Sequence, residues 1–293
     1  MTALLMAASF GSQLDSWFYG FDMAIFTFFG HIQNGFFTFL AKVFTSLGSE
    51  TYVVLIALIG LILFLFKRTR KLGLSIVLSV IIGTLLVNVM VKPLVLRVRP
   101  YNTLQSNAEF FSWYLGAGAL SESDYCFPSG HTNGAFEIAT ALFLYCLFDE
   151  DKRFKKLAWI PPVVAFLVMI SRVYLMVHYA TDVIFGMIFG IIAGLLGYWL
   201  AGLICRKIEK IKLDNYLDLG RVIKPKAKKA GAIALFAGWA LAFIISMVIT
   251  FSSGGDAKRC AYNGEYNCYN ESKEKYEIDG EYYCKIHYKE LTD

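Results

Sequence analysis

Eight residues of this sequence could do chemistry together. Lys92 closes one long apolar run, and Arg99-Pro100 follows seven residues later. Pro128-Ser129-Gly130-His131 opens a second run, Ser171-Arg172 lies near the end of a third, and His178 and Asp182 open a fourth. Three cations (Lys92, Arg99 and Arg172) suit a multiply charged anion, and the two arginines offer planar bidentate forks. Ser129 and Gly130 at a helix start offer a hydroxyl and free backbone N–H groups, a ready anion site. His131 and His178 allow a proton donor and a nucleophile. If the segment is helical, Asp182 lies one turn after His178 and can fix its tautomer. The set reads as phosphoryl transfer at a membrane surface.

The elements that must position these residues are membrane spans. Of the 293 residues, 57% are hydrophobic and only 17% charged, and the mean hydropathy is +0.52. Soluble domains are nearer 45–50% apolar and about 25% charged. Disorder and collagen-like structure are excluded, and a soluble enzyme is disfavoured. Six segments approach the about 20 apolar residues that a crossing helix needs: 52–66, 72–91, 132–148, 157–177, 183–205 and 230–255. The predicted fold class is therefore all-α, a polytopic transmembrane bundle of about six spans with a small C-terminal tail. Residues 18–44 are rich in Phe but interrupted by Asp22, His31, Gln33 and Asn34. They read as interfacial helices slightly better than as a first span. Residues 1–13 lack the basic start of a cleavable leader.

Basic residues set the orientation. Four lie between the first two runs, four between the third and fourth, and nine in 206–229, more than half of all 28. The segment 101–127 contains no Lys or Arg. The basic loops are then cytoplasmic, and the eight polar residues share the extracytoplasmic face of what reads as a plasma membrane protein. This gives five regions: 1–50, interfacial or first-span helices; 51–205, a membrane core; 206–229, a basic linker; 230–255, an additional span; and 256–293, a Cys- and Tyr-rich extracytoplasmic tail. In the tail, 276–278 and 281–286 flank Asp279-Gly280 and read as a hairpin with a type I′ turn.

The ordered set Lys92-x6-Arg99-Pro100, Pro128-Ser129-Gly130-His131 and Ser171-Arg172-x5-His178-x3-Asp182 resembles the three motifs of the type 2 phosphatidic acid phosphatase (PAP2) superfamily. Every position is filled, in order, over roughly 51–205. The resemblance implies a metal-independent lipid phosphatase without a cofactor. His178 would attack phosphorus to form a phosphohistidine, and Asp182 would orient it. His131 would protonate the leaving oxygen. Lys92, Arg99, Ser129, Gly130 and Arg172 would hold the phosphoryl oxygens. The implied partners are the bilayer and a lipid phosphate, with phosphatidic acid, phosphatidylglycerol phosphate and undecaprenyl diphosphate all compatible, and no nucleic acid. The oligomeric state is open. The rivals are a phosphotransferase on the same scaffold and a non-catalytic lipid-headgroup binder or transporter. A haloperoxidase shares the motif logic but not the spans.

Several residues carry weaker expectations. Arg97 reads at best as a contact to phosphate or headgroup. Glu137, inside a span, is either functional or a packing partner of a Ser or Tyr. Phe110, Phe111, Trp113 and Tyr114 read as an interface belt rather than a lid. The run 224–229 reads as a positive-inside anchor, and His31 and His287 as surface residues. Cys126, Cys260, Cys268 and Cys284 fall on the outer side and point to two disulfides, one tying Cys126 to the tail. A zinc site of Cys260, Cys268, Cys284 and His287 is disfavoured, because the spacing is unlike known ribbons. Asn270-Glu271-Ser272 is a glycosylation sequon.

Overall fold

The computed structural model describes residues 10–148, 152–213, 217–252, 259–262, 264 and 267–292. Most of the candidate leader segment and the start of the tail lie outside these residues. Among the described residues, regular structure is helical apart from one short hairpin and an isolated bridge. The helices are α1 (Phe10–His31), α2 (Gly35–Ser46), α3 (Glu50–Phe64), α4 (Arg70–Thr84), α5 (Lys92–Val95), α6 (Pro100–Thr103), α7 (Ala108–Gly116), α8 (Gly130–Phe148), α9 (Ile160–Tyr174), α10 (Ala180–Lys210), α11 (Pro225–Ser252) and α12 (Lys285–Thr292). A π-helical stretch, Leu85–Val91, joins α4 to α5.

Each of the six apolar runs forms a helix. Among the described residues, four stretches are long and apolar enough to cross a membrane: Arg70–Thr103, Lys155–Tyr174, Ala180–Lys210 and Lys229–Ser252. A fifth is the pair α2 and α3, bent by 41°. The second half of the ambiguous 18–44 segment thus belongs with a broken span, whereas α1 does not qualify as one. Helix α8 is less apolar than these spans, and packing accommodates its polar residues. Thr132, Asn133 and Glu137 are buried against neighbouring helices. Polar groups facing protein do not meet lipid.

Small residues bring α10 close to α8. A Cβ on Gly190 would come within 2.6 Å of the Asn133 carbonyl oxygen, and one on Gly186 within 2.7 Å of the Ser129 carbonyl oxygen. Such contact is how helices associate in lipid, where burial of apolar area gives no driving force. Helix α11 is held to the bent pair by hydroxyls: Ser246 meets Ser49 at 2.6 Å and donates to the Ser46 carbonyl at 2.6 Å.

Two ends of the bundle differ. At one, the backbone N–H of Lys67 donates to Asp218, and that of Leu219 to the Leu65 carbonyl, so two of the basic loops meet. At the other end, α7 and the 117–127 segment pack over α1 and the end of α9. Phe110 and Tyr114 are fully buried there, and Tyr114 stacks on Tyr101 at 4.9 Å. These rings form a core rather than the expected interface belt, because a short helix turns them inward onto Phe26 and the 173–177 turn.

The tail covers this same end. Strands β1 (Glu277–Ile278) and β2 (Glu281–Tyr282) pair antiparallel, with positive φ at both Asp279 (52°) and Gly280 (83°), as a type I′ turn requires. The second strand is shorter than expected, because α12 begins at Lys285. The expected disulfides are not formed: Cys126, Cys260, Cys268 and Cys284 are all thiols. Cys126 instead donates to the Arg97 and Val98 carbonyls, at 3.3 and 3.2 Å. Asn270 of the sequon is buried and accepts from Tyr101 and Asn102, at 3.1 and 2.9 Å. His287 is buried as well, contrary to its reading as a surface residue, while His31 is exposed.

Candidate active site

The motif residues converge from three helix ends. The helix that runs from α4 through the π-helical stretch into α5 is broken at Leu96, whose φ of 55° is left-handed. That break leaves Lys92 on the last turn and delivers Arg97 and Arg99 to an extended segment. Ser129 caps α8 by accepting from the Thr132 N–H at 3.4 Å, and its own N–H donates to the Asp182 carbonyl at 3.1 Å. Gly130 and His131 therefore occupy the first turn of α8, at its positive end. Met176, with φ of 58°, turns the chain from α9 so that His178 precedes α10.

The His178 to Asp182 contact runs across a helix cap, not along a helix turn. Asp182 Oδ2 lies 3.3 Å from His178 Nδ1 and accepts the Tyr179 N–H at 3.0 Å. Its other oxygen accepts from Arg97 at 2.6 Å. Arg99 Nη1 donates to the Val177 carbonyl at 3.2 Å and lies 3.0 Å from His178 Nε2. With Arg99 as the donor to Nε2, the proton resides on Nδ1 and the Nε2 lone pair points among the cations. Burial holds the His178 imidazole down at about 4, with Arg99 adding to the shift and the Asp182 bond opposing it. The ring is neutral at physiological pH, as a nitrogen nucleophile must be.

Two carboxylates that the sequence reading did not select complete the arrangement. Glu122 receives Arg99 Nη2 at 2.6 Å and Arg172 Nη2 at very short range, and it lies 3.7 Å from His131 Nδ1. Asp124 receives Lys92 Nζ at 2.5 Å and Arg99 Nη2 at 2.7 Å. Burial opposes ionisation of Glu122, but Arg172, Arg99 and His131 outweigh it and hold the carboxyl well below the usual range. Asp124 is likewise pulled down, against burial, to about 2 by Lys92 and Arg99. Thus the three cations predicted to hold an anion do hold anionic groups, contributed by the 121–124 loop. Arg172 also donates to Thr45 at 2.8 Å, while its buried Nε has no partner. The one signal available in the sequence was the acid excess of 101–127, which has Glu109, Glu122 and Asp124 and no base.

Arg97 is not a phosphate or headgroup contact. It is fully buried and donates to Asp15 at 2.8 Å, Asp22 at 2.9 Å, Thr181 at 2.7 Å and Asp182 at 2.6 Å. Its guanidinium lies 3.8 Å over the Tyr179 ring. Asp22 also accepts the Thr181 N–H at 2.9 Å, so α1 buttresses the cap that carries Asp182. Glu137 accepts from Asn133 at 2.8 Å, a packing contact with a different partner from those expected.

A cavity of about 540 Å³ opens in front of this cluster, with Lys92, Glu122, His131 and Arg172 on its polar wall and Val53 and Val80 on an apolar one. Polar convergence at one end of an apolar recess is what an amphiphilic phosphate requires.

A helical membrane bundle with a buried His–Asp pair beside Arg99 and Arg172 has the form of a membrane phosphohydrolase. The PAP2 superfamily pattern matches residues 71–204, and the chain belongs to that superfamily. It is 33% identical over 179 residues to the undecaprenyl-diphosphatase of Sulfolobus acidocaldarius, covering 58% of this chain and 74% of that one. It is 33% identical over 153 residues to phosphatidylglycerophosphatase B of Bacillus subtilis, covering 50% and 67%. The crystal structure of a transmembrane PAP2-type phosphatidylglycerolphosphate phosphatase from Bacillus subtilis is similar, with a TM-score of 0.51 and 28% identity over 68% of this chain and 92% of that one. The protein is an integral membrane lipid phosphatase, a PAP2-type hydrolase of phosphoric monoesters or diphosphates.

Proposed function

We propose that the chain removes terminal phosphate from a lipid monophosphate or diphosphate by way of a phosphohistidine on His178. The observation that carries this reading is the His178 imidazole, bonded through Nδ1 to Asp182 with Nε2 directed at the arginines. The phosphoryl group takes the place of the Glu122 and Asp124 carboxylates among Lys92, Arg99 and Arg172. The N–H groups at the start of α8 bind its remaining oxygen, alongside Ser129 and Gly130. The Nε2 lone pair forms the N–P bond as the P–O bond to the lipid breaks. Asp182 stabilises the positive imidazole, and His131 gives its proton to the departing oxygen. Water then attacks phosphorus, His131 takes the proton, and inorganic phosphate leaves. Transfer to an acceptor lipid would differ only in this second half.

The substrate class is an amphiphile whose tail stays in the bilayer, such as phosphatidic acid, phosphatidylglycerol phosphate or undecaprenyl diphosphate. This is supported by the apolar wall of the cavity and by the activities for which the relatives are named. The site faces the extracytoplasmic side of the plasma membrane. That reading rests on the basic loops, which lie at the end of the bundle away from His131 and His178. Phosphate release from the three lipids in parallel, with no acceptor added, tests the reading beside His178→Ala. Release by the wild type and an acid-labile phosphoprotein absent from the variant are expected. Undiminished release by His178→Ala would overturn it.

A further inference from the structure

The tail gathers three cysteines and one histidine that catalysis does not use. Cys260, Cys268, Cys284 and His287 are all buried, and their ligand atoms lie within 4.8 Å of one another. His287 Nδ1 is 3.4 Å from both Cys260 Sγ and Cys284 Sγ. A tetrahedral zinc site with Zn–S bonds of about 2.3 Å has ligand edges of roughly 3.8 Å, close to this spacing. We propose that these four side chains bind one zinc ion, which holds the tail together as a structural unit over the active site.

Four observations support a metal. First, the number is wrong for a disulfide: three thiols converge, so one bridge would strand the third beside an imidazole. Second, the surrounding donors point at sulfur. The Cys284 N–H donates to Cys260 Sγ at 3.2 Å, the His287 N–H to Cys284 Sγ at 3.5 Å, and Asn270 Nδ2 to Cys284 Sγ at 3.6 Å. Such N–H···S bonds stabilise thiolate, the form that binds metal. Third, the imidazole is fixed from outside. It stacks on Tyr262 at 3.9 Å and 8°, and its Nε2 lies 3.8 Å from Glu290. A carboxylate behind a ligating histidine sets the tautomer that leaves the other nitrogen free for the metal. Fourth, the unit is too small to hold itself. Its buried cluster consists of the three cysteines and Ile286, with partial cover from Tyr125, Tyr262 and Tyr283. Chains below about 40 residues need a metal, a disulfide or a partner to fold.

In zinc ribbons the ligands come in close pairs. Here only Cys284 and His287 form such a pair, Cys284 just before α12 and His287 on its first turn. Cys260 and Cys268 are brought in by their own loop and by the hairpin. The cluster also reaches the catalytic end. Asn270 bonds Cys284 on one side and Tyr101 and Asn102 on the other. The Glu271 and Lys285 N–H groups donate to the Glu122 and Ser123 carbonyls, at 3.2 and 3.1 Å. The zinc unit therefore clasps the loop whose carboxylates sit among the phosphate-binding cations.

The test is the metal content of full-length protein purified in detergent without chelator. We expect about one zinc per chain, released stoichiometrically when a mercurial titrates the thiols. Cobalt exchanged into the wild type should show thiolate-to-metal absorption and tetrahedral ligand-field bands, which needs no variant to fold. Cys284→Ser and His287→Ala should each lose the zinc. Any of three results would overturn the proposal. One is a metal-free chain with a disulfide between two of the three cysteines. Another is a metal-free chain with three freely reactive thiols. The third is zinc retained in full by both variants.

Discussion

Replacing Glu122 with Gln tests whether the 121–124 loop competes with substrate. Glu122 is bonded to Arg99 and Arg172, and its side chain is 26% exposed. Hydrogen bonds to charged groups contribute about 1.5–3 kcal/mol each. Gln keeps the shape and one acceptor but removes the charge, so the displaced group becomes weaker by about 1.5–3 kcal/mol. At about 1.4 kcal/mol per tenfold, KM should fall about 10- to 100-fold, and inhibition by inorganic phosphate should tighten equally. The free protein loses a partner for two buried cations. Full loss in a sealed interior costs about 3–5 kcal/mol. Water reaching the exposed quarter of the side chain should reduce this to about 2 kcal/mol, or roughly 4–8 °C in Tm. Saturating phosphate should restore the Tm. The assays are KM and phosphate inhibition on detergent-solubilised enzyme, and thermal unfolding with and without phosphate. A KM that rises together with a falling kcat would refute the reasoning and make Glu122 part of the catalytic machinery. Unchanged KM and phosphate inhibition would also refute it.

Three further outcomes are expected. Arg97→Met should lower kcat with little change in KM, because Arg97 holds Asp182 and touches no substrate, and should cost about 3–5 kcal/mol by stranding buried carboxylates; an unaltered kcat in folded protein would contradict this. His178 is held at about 4 against an ordinary 6.5, so its neutral form is favoured in the fold. The resulting stability, about 3 kcal/mol, is complete above about 6.5 and is lost as pH falls towards 4. The wild type should thus lose Tm more steeply than His178→Gln between those pH values, and parallel curves would contradict the assignment. Glu137→Gln should keep wild-type kcat/KM, since the carboxyl meets Asn133 and no cation among the described residues; a large loss would give Glu137 a functional role.

The loop and the tail also show where reading a sequence stops. Lys92, Arg99, His131, Arg172, His178 and Asp182 were legible because apolar run lengths mark where spans end, and these residues stand at those ends. The hairpin was legible from Asp279-Gly280, since a type I′ turn is a local requirement on two φ angles. Arg97 stands among the motif residues, yet its fate was decided by Asp15 and Asp22, more than seventy positions away on α1. The aromatic residues of α7 were assigned to the interface on composition alone, and the fold of 101–127 turned two of them into core.

Residue order alone sets the helical class, the membrane, the side-chain types of the candidate site and the end of the bundle where they collect. Each of these follows from local periodicity or from the length of an apolar run. Long-range packing is what places Glu122 and Asp124 on the cations, sets Arg97 against Asp182, and brings Cys260, Cys268, Cys284 and His287 together. Those contacts join loops with no period of their own, and their partners are chosen by burial. An unpaired charge or thiol enclosed by packed helices must find whichever complementary group the rest of the fold has brought within reach.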